Sequence, residues 1–155
     1  MFPFRLRLAA AAVLAAAPVL AAAQVTVADP WVRATVPQQQ ASGAFMTLTA
    51  PQGARLVEAR SPVASVVEVH EMKREGDVMK MRAIPSLELP AGRAVKLEPG
   101  GYHVMLMGLK QTLAAGDTVP LTLVIETADR QRQSVEVRAP VRPLAQGSGA
   151  GTHKH

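Results

Sequence analysis

The chain has 155 residues, a formal charge of +5, four histidines and no cysteine. Without thiols it can form neither disulfides nor thiolate metal sites, so its stability must come from a packed core. Aromatic residues make up only 3% and basic residues form no block, which leaves nothing to clamp or stack a nucleic acid.

The first segment, "MFPFRLRLAAAAVLAAAPVLAAAQ", sets Arg5 and Arg7 before an apolar run from Leu8 to Ala23. Small residues precede Gln24, the layout of a secretory signal peptide with an A-x-A cleavage site. The run is short for a membrane span and contains Pro18, which favours a cleaved signal over a retained anchor. Residues 1–23 are therefore expected to be removed near Ala23 on export. Losing Arg5 and Arg7 brings the formal charge from +5 to about +3.

From Gln24 onward short segments of β-branched or alternating residues follow one another. They are "WVRATV" (31–36), "AFMTLTA" (44–50), "RLVEAR" (55–60), "SVVEVHEM" (65–72), "VMKMRAI" (78–84), "RAVKLE" (93–98), "YHVMLMGL" (102–109), "VPLTLVIET" (119–127) and "QSVEVRAPV" (133–141). Turn signals separate them, among them "PQG", "REGD", "LPAG", "EPGG", "AAGD" and "TADR". Strands at this spacing predict an all-β sandwich or barrel with Greek-key crossings, a single domain over residues 24–144. The tail 145–155, "AQGSGAGTHKH" from Ala145, is Gly-rich, lacks apolar anchors and is expected to be disordered.

Histidine and methionine are distributed unevenly along this pattern. In a strand, His103, Met105 and Met107 share one face, as do Val66, Glu68, His70 and Met72, and as do Met79 and Met81. "KREGD" reads as a hairpin turn that makes the His70 and Met81 strands antiparallel neighbours. The strand of His103 and Met105 can complete a common region. Taken singly, each Met is a core gap-filler and each His a hydrogen-bonded structural residue. Together they form a constellation: His70 and His103 each have a Met two residues downstream, and five methionines fall between 72 and 107.

Ligand chemistry indicates the ion. Thioethers with imidazole suit Cu(I) and are poor donors for magnesium, calcium or manganese. Zinc sites draw on Cys, His and carboxylate instead. No nucleophile–base pair, phosphate loop or paired-carboxylate motif stands out, so no enzymatic activity is expected.

The spacing from His70 through Met81 and His103 to Met105 is H-x₁₀-M-x₂₁-H-x-M. It resembles the signature of the periplasmic copper chaperone family PCuAC. "GGYHVMLMGL" is similar to the family's wording around its second histidine, and "VTVADPWVRATVP" with "SGAFMTL" to its first strands. The likeness covers roughly residues 25 to 140. It implies a cupredoxin-like barrel, located in the periplasm, with His70, Met81, His103 and Met105 as Cu(I) ligands. Met72, Met79 and Met107 are left as neighbours that pack around the site, the copper lying near one end of the barrel under a rim that includes one of them.

The same resemblance implies a carrier that hands copper to the apo CuA domain of cytochrome c oxidase, directly or with thiol-bearing copper chaperones, and the chain is expected to act as a monomer. Two other readings stand beside it: a copper-buffering or resistance protein without a dedicated acceptor, and a metal-free β-sandwich binding module. The tail adds His153 and His155, a candidate pair for a weak second site for Cu(II).

Overall fold

The computed structural model describes residues 25–143. The expected signal peptide, and the tail with His153 and His155, lie outside them. The described residues form ten strands: β1 (Thr26–Arg33), β2 (Ala41–Thr49), β3 (Ala54–Arg60), β4 (Ala64–Glu75), β5 (Val78–Ala83), β6 (Leu87–Leu89), β7 (Ala94–Leu97), β8 (His103–Leu109), β9 (Thr118–Thr127) and β10 (Arg132–Arg142). The all-β expectation therefore holds, with differences in detail that have physical reasons.

β1 starts at Thr26, five residues before the expected strand. Asp29 has φ 48° and the pairing with β2 slips between Ala28 and Trp31, so a bulge interrupts the alternation that marks a strand. The β4–β5 hairpin is tighter than "KREGD" suggests. Glu75 pairs directly with Val78, leaving Gly76 and Asp77 as the turn, and Gly76 takes φ 61°. A two-residue turn led by glycine at positive φ is the type II′ arrangement favoured by twisted strands. β6 has only three residues, too few to show a period.

The strand order is β5-β4-β8-β2-β1-β10-β9-β3-β6, with β7 pairing β2 beyond the end of β8. β10 joins the two halves: it runs parallel to β1 at Val32–Val141 and antiparallel to β9 along its length. Alternate residues from both halves meet in one core. Val32, Ala44, Leu48, Val104 and Leu106 come from one half, and Leu56, Leu121, Leu123, Ile125 and Ala139 from the other. Burying each leucine or isoleucine contributes roughly 1.5–3 kcal/mol relative to exposure, ample for a fold without disulfides. Since Val104 and Leu106 point inward, His103, Met105 and Met107 must point outward. The soft residues thus lie on the face of β4, β5 and β8 turned away from the core.

Candidate metal centre

Register brings the residues together on that outer face. His70 on β4 is directly opposite His103 on β8, and two residues further along β4 Met72 is opposite Met81 on β5. In the other direction Glu68 is opposite Met105, and Val66 is opposite Met107. Directly opposed residues share a face and lie close enough for side-chain contact. The two imidazole centroids are 5.6 Å apart. Met81 belongs to the edge strand, yet its Sδ lies 3.0 Å from His103 Nε2.

The hydrogen bonds at each imidazole determine which nitrogen is free. His103 Nδ1 lies 3.1 Å from the Gly101 carbonyl, which can only accept, so Nδ1–H donates and carries the proton of the neutral ring. Nε2 then offers a lone pair toward a thioether sulfur that also has lone pairs and no hydrogen. At His70 the arrangement is reversed. Nε2 lies 2.8 Å from the Glu68 carboxylate, and Nδ1 is buried without a hydrogen-bond partner among the described residues. Two nitrogen lone pairs and nearby sulfurs without polar hydrogens fit a soft cation.

Burial keeps the His103 ring in the state that can bind one. Both histidines are buried, at 6% exposure for His103 and 9% for His70. Loss of solvent pulls the His103 imidazole below its ordinary value of 6.5, against the opposing hydrogen bond to Gly101. The neighbouring His70 and the Arg33 guanidinium lower it further.

An aromatic and cationic layer covers the β2 side of the site. Phe45 is 6.3 Å from His103 and 4.5 Å from Trp31 between ring centroids, with Arg33 over Phe45 and Arg142 over Trp31. The Phe45 ring folds over Gly43, where a Cβ would come within 2.9 Å of Phe45 Cζ. Gly43, opposite Met105, thereby makes room for both the ring and the sulfur. A cleft of about 350 Å³ opens here, lined by Arg33, Gly43, Phe45, Met72, Met81, His103 and Met105 among others, beside the turn at Pro99 and Gly100. Met79, Met107 and the buried His70 do not line it.

The structure therefore gathers all four residues of the spaced motif on one face: His70, Met81, His103 and Met105. Met72 joins them at the cleft. Among the described residues no three His, Cys, Asp or Glu side chains form a metal-sized group, so any metal centre here depends on thioethers. Phe45, Gly43 and Arg33 carry no signal in the local sequence because only the β1–β2 and β2–β8 registers bring them in. Glu68 did carry one, since it shares a face with His70 two residues away.

Comparisons with known proteins agree with this architecture. The family model described as "Putative lipoprotein LpqE-like" matches residues 25–141. "Putative lipoprotein Lxx21020" of Leifsonia xyli subsp. xyli is 33% identical over 115 residues, 74% of this chain and 69% of that protein. The solution structure of apo-DR1885 from Deinococcus radiodurans is 34% identical with TM-score 0.59, covering 96% of this chain and 100% of its own. The Cu(I) form of DR1885 is 35% identical with TM-score 0.59, covering 78% and 80%. A copper-bound PCuAC domain from PmoF2 shares the cupredoxin-like fold at TM-score 0.62 and 24% identity, over 79% of this chain and 96% of that domain. With a matching family model over most of its length and a relative sharing a third of the aligned residues, the chain belongs to the LpqE-like family, the family of the PCuAC domains.

Proposed function

We propose that this protein is an exported copper chaperone that holds Cu(I) through His70, Met81, His103 and Met105 and delivers it for assembly of the CuA centre of cytochrome c oxidase. The observation that carries the reading is the 3.0 Å approach of His103 Nε2 to Met81 Sδ, a lone pair facing a lone pair. A soft monovalent cation turns that opposition into two bonds. Four neutral donors leave it a net charge of only +1, which a half-buried site tolerates better than a dication. The Cu(I) form of DR1885 and the copper-bound domain from PmoF2 support copper as the cargo.

Export is supported by the lipoprotein descriptions of the family and of the Leifsonia protein. In this chain residues 1–23 serve as the export signal, and the 155 residues contain no cysteine to carry a thioether-linked lipid. Copper is cargo, bound and released unchanged, and the protein catalyses no reaction. Delivery is favoured over storage because Met81 is 46% exposed while both imidazoles are buried. An acceptor's donor atoms can approach the ion from the thioether side without unfolding the sheet.

The test is transfer. Cu(I)-loaded protein is mixed with an apo CuA domain, with oxidant and a thiol-bearing copper donor supplied, and formation of the purple centre is followed by absorbance. A centre that forms only with the loaded chain is the expected result. Tight Cu(I) binding with no transfer under any of these conditions would replace delivery by buffering.

A further inference from the structure

Among the described residues, Glu68 is the one carboxylate hydrogen-bonded to a side chain of the motif. Its side chain is about half exposed, whereas the His70 side chain it meets is almost fully buried. An exposed glutamate on a strand normally turns to water. Here it is directed along its own strand, two residues on, to Nε2 of His70 at 2.8 Å. The second nitrogen of the same ring, Nδ1, is out of contact with solvent and has no hydrogen-bond partner among the described residues. Leaving such a buried acceptor unsatisfied costs about 1–3 kcal/mol, so it needs a reason.

We propose that Glu68 is a positioning residue for the copper site: it fixes His70 in the Nε2–H tautomer, so that Nδ1 is the nitrogen offered to Cu(I). A carboxylate accepts only, so its contact with neutral His70 requires the hydrogen on Nε2. The lone pair is then on Nδ1, the orphaned atom. Which ring nitrogen takes a metal is set by the hydrogen bond of the other, and a carboxylate in that position also raises the basicity of the donor. The carboxylate supplies one negative charge as well, matching the single positive charge of an ion held by neutral ligands. His103 follows the opposite rule on the same face: the Gly101 carbonyl takes Nδ1–H and Nε2 is presented. The two histidines thus bind through different nitrogens, a consequence of their different partners.

This inference rests on the copper reading, and the experiment separates the two. Histidine side-chain ¹⁵N spectra are recorded on the protein before and after addition of Cu(I), with Cu(I) affinity measured by chelator competition for the wild type, Glu68→Gln and Glu68→Ala. Before copper, His70 should carry its hydrogen on Nε2. Copper should then shift Nδ1 of His70 and Nε2 of His103. Glu68→Gln, whose amide oxygen still accepts from Nε2–H, should keep the tautomer and most of the affinity. Glu68→Ala should lose the tautomer preference and bind Cu(I) on the order of 10–100-fold more weakly. A hydrogen on Nδ1 of His70 in the wild type, a copper shift at its Nε2, or unchanged affinity in Glu68→Ala with normal wild-type binding would overturn the inference alone. A wild-type protein that binds no Cu(I) would overturn the functional reading with it.

Discussion

Met81, on the edge strand β5, reaches over β4 to place its sulfur 3.0 Å from Nε2 of His103 on β8. The contact skips a strand, so it depends on both the β5–β4 and the β4–β8 registers. A one-residue slip in either would turn the whole row of one strand to the other face. The hairpin register is therefore part of the site. Ion pairs on the opposite side of the hairpin support it: Glu71 is directly across from Arg82 and bonded to it at 2.6 Å, and Glu75 meets Lys80 at 3.0 Å. Each such surface pair is worth roughly 0.2–1 kcal/mol, enough to favour a register without fixing the fold.

Met81→Leu separates ligation from packing. The side chain is 46% exposed and the swap nearly conserves volume, so stability should change by less than about 1.5 kcal/mol. Removing one of four donors should nevertheless lower Cu(I) affinity by about tenfold or more, at ~1.4 kcal/mol per decade. Thermal melts and chelator competition on the same samples measure the two effects. Unchanged Cu(I) affinity would remove Met81 from the ligand set.

The sequence made the row of donors legible and left its surroundings hidden, for a reason visible in the register. Alternation is a property of one strand, so "VVEVHEM" and "YHVMLMGL" disclose which side chains share a face before any partner strand is known. Whether that face looks inward or outward is settled only by Val104 and Leu106 entering the core. Phe45 and Gly43 join the site through pairing of segments some sixty residues apart, which no local pattern encodes. Asp29 and Pro30 form a bulge that carries β1 back to Thr26, five residues before the expected strand, because the bulge breaks the alternation by which a strand is read. The charged run Lys73–Glu75, expected as part of the hairpin turn, is strand, because an exposed hairpin needs no apolar alternation to remain paired.

Gly43 provides a test remote from any donor atom. A methyl group there would approach Phe45 Cζ to 2.9 Å, and the ring cannot simply swing away, being 4% exposed and stacked on Trp31. Gly43→Ala should cost about 1–3 kcal/mol by overpacking. As Phe45 also borders His103, Cu(I) affinity should fall as well, although no ligand has been touched. A variant with wild-type melting temperature and affinity would show that the ring is free to move and has no part in shaping the cleft.

The lowered pKa of His103 gives a pH dependence with a definite sign. Its ring is pulled below 6.5 in the folded protein, first by burial, so as pH falls the unfolded chain takes up this proton before the folded one does. The stability linked to His103 is fully present above its ordinary pKa and is lost as pH drops through 6.5 toward the folded value. Protons should compete with Cu(I) at His103 only at lower pH than they would at an ordinary imidazole. NMR titration of His103, with denaturant melts at several pH values, checks both. A His103 midpoint at or above 6.5 would contradict the burial seen here.

Selectivity follows from the donors. The described residues contain no group of three His, Cys, Asp or Glu that could serve a harder dication. Saturating Cu(I) should raise the melting temperature, because a ligand at 100 times its Kd adds about 2.7 kcal/mol to stability. Zn(II) at the same concentration should give much less. Equal shifts would mean that the thioethers are not ligands.

Oxidation reads the site without any substitution. A thioether is oxidised by peroxide according to its exposure, and a sulfur bonded to a metal has given up the lone pair that reacts. Met79 and Met81 have almost equal exposure, at 48% and 46%, and Met46 is a buried control at 3%. In the metal-free protein Met79 and Met81 should therefore form sulfoxide at similar rates and Met46 last. Ag(I), a soft monovalent ion that does not drive peroxide chemistry, should divide the pair: Met81 becomes protected while Met79, outside the cleft, keeps its rate. The half-buried Met105 should also gain protection, and Met107, opposite Val66 further along the face, should not. Residue-resolved mass spectrometry after a brief peroxide pulse gives the rates of all six methionines among the described residues from one sample. Equal protection of Met79 and Met81 would point to a bulk change in exposure, and no protection at Met81 would place the ion elsewhere. The same gradient bears on release, because Met81, the more exposed of the two ligand sulfurs, is also the one an acceptor can displace first, with His70 and His103 still holding the ion beneath it.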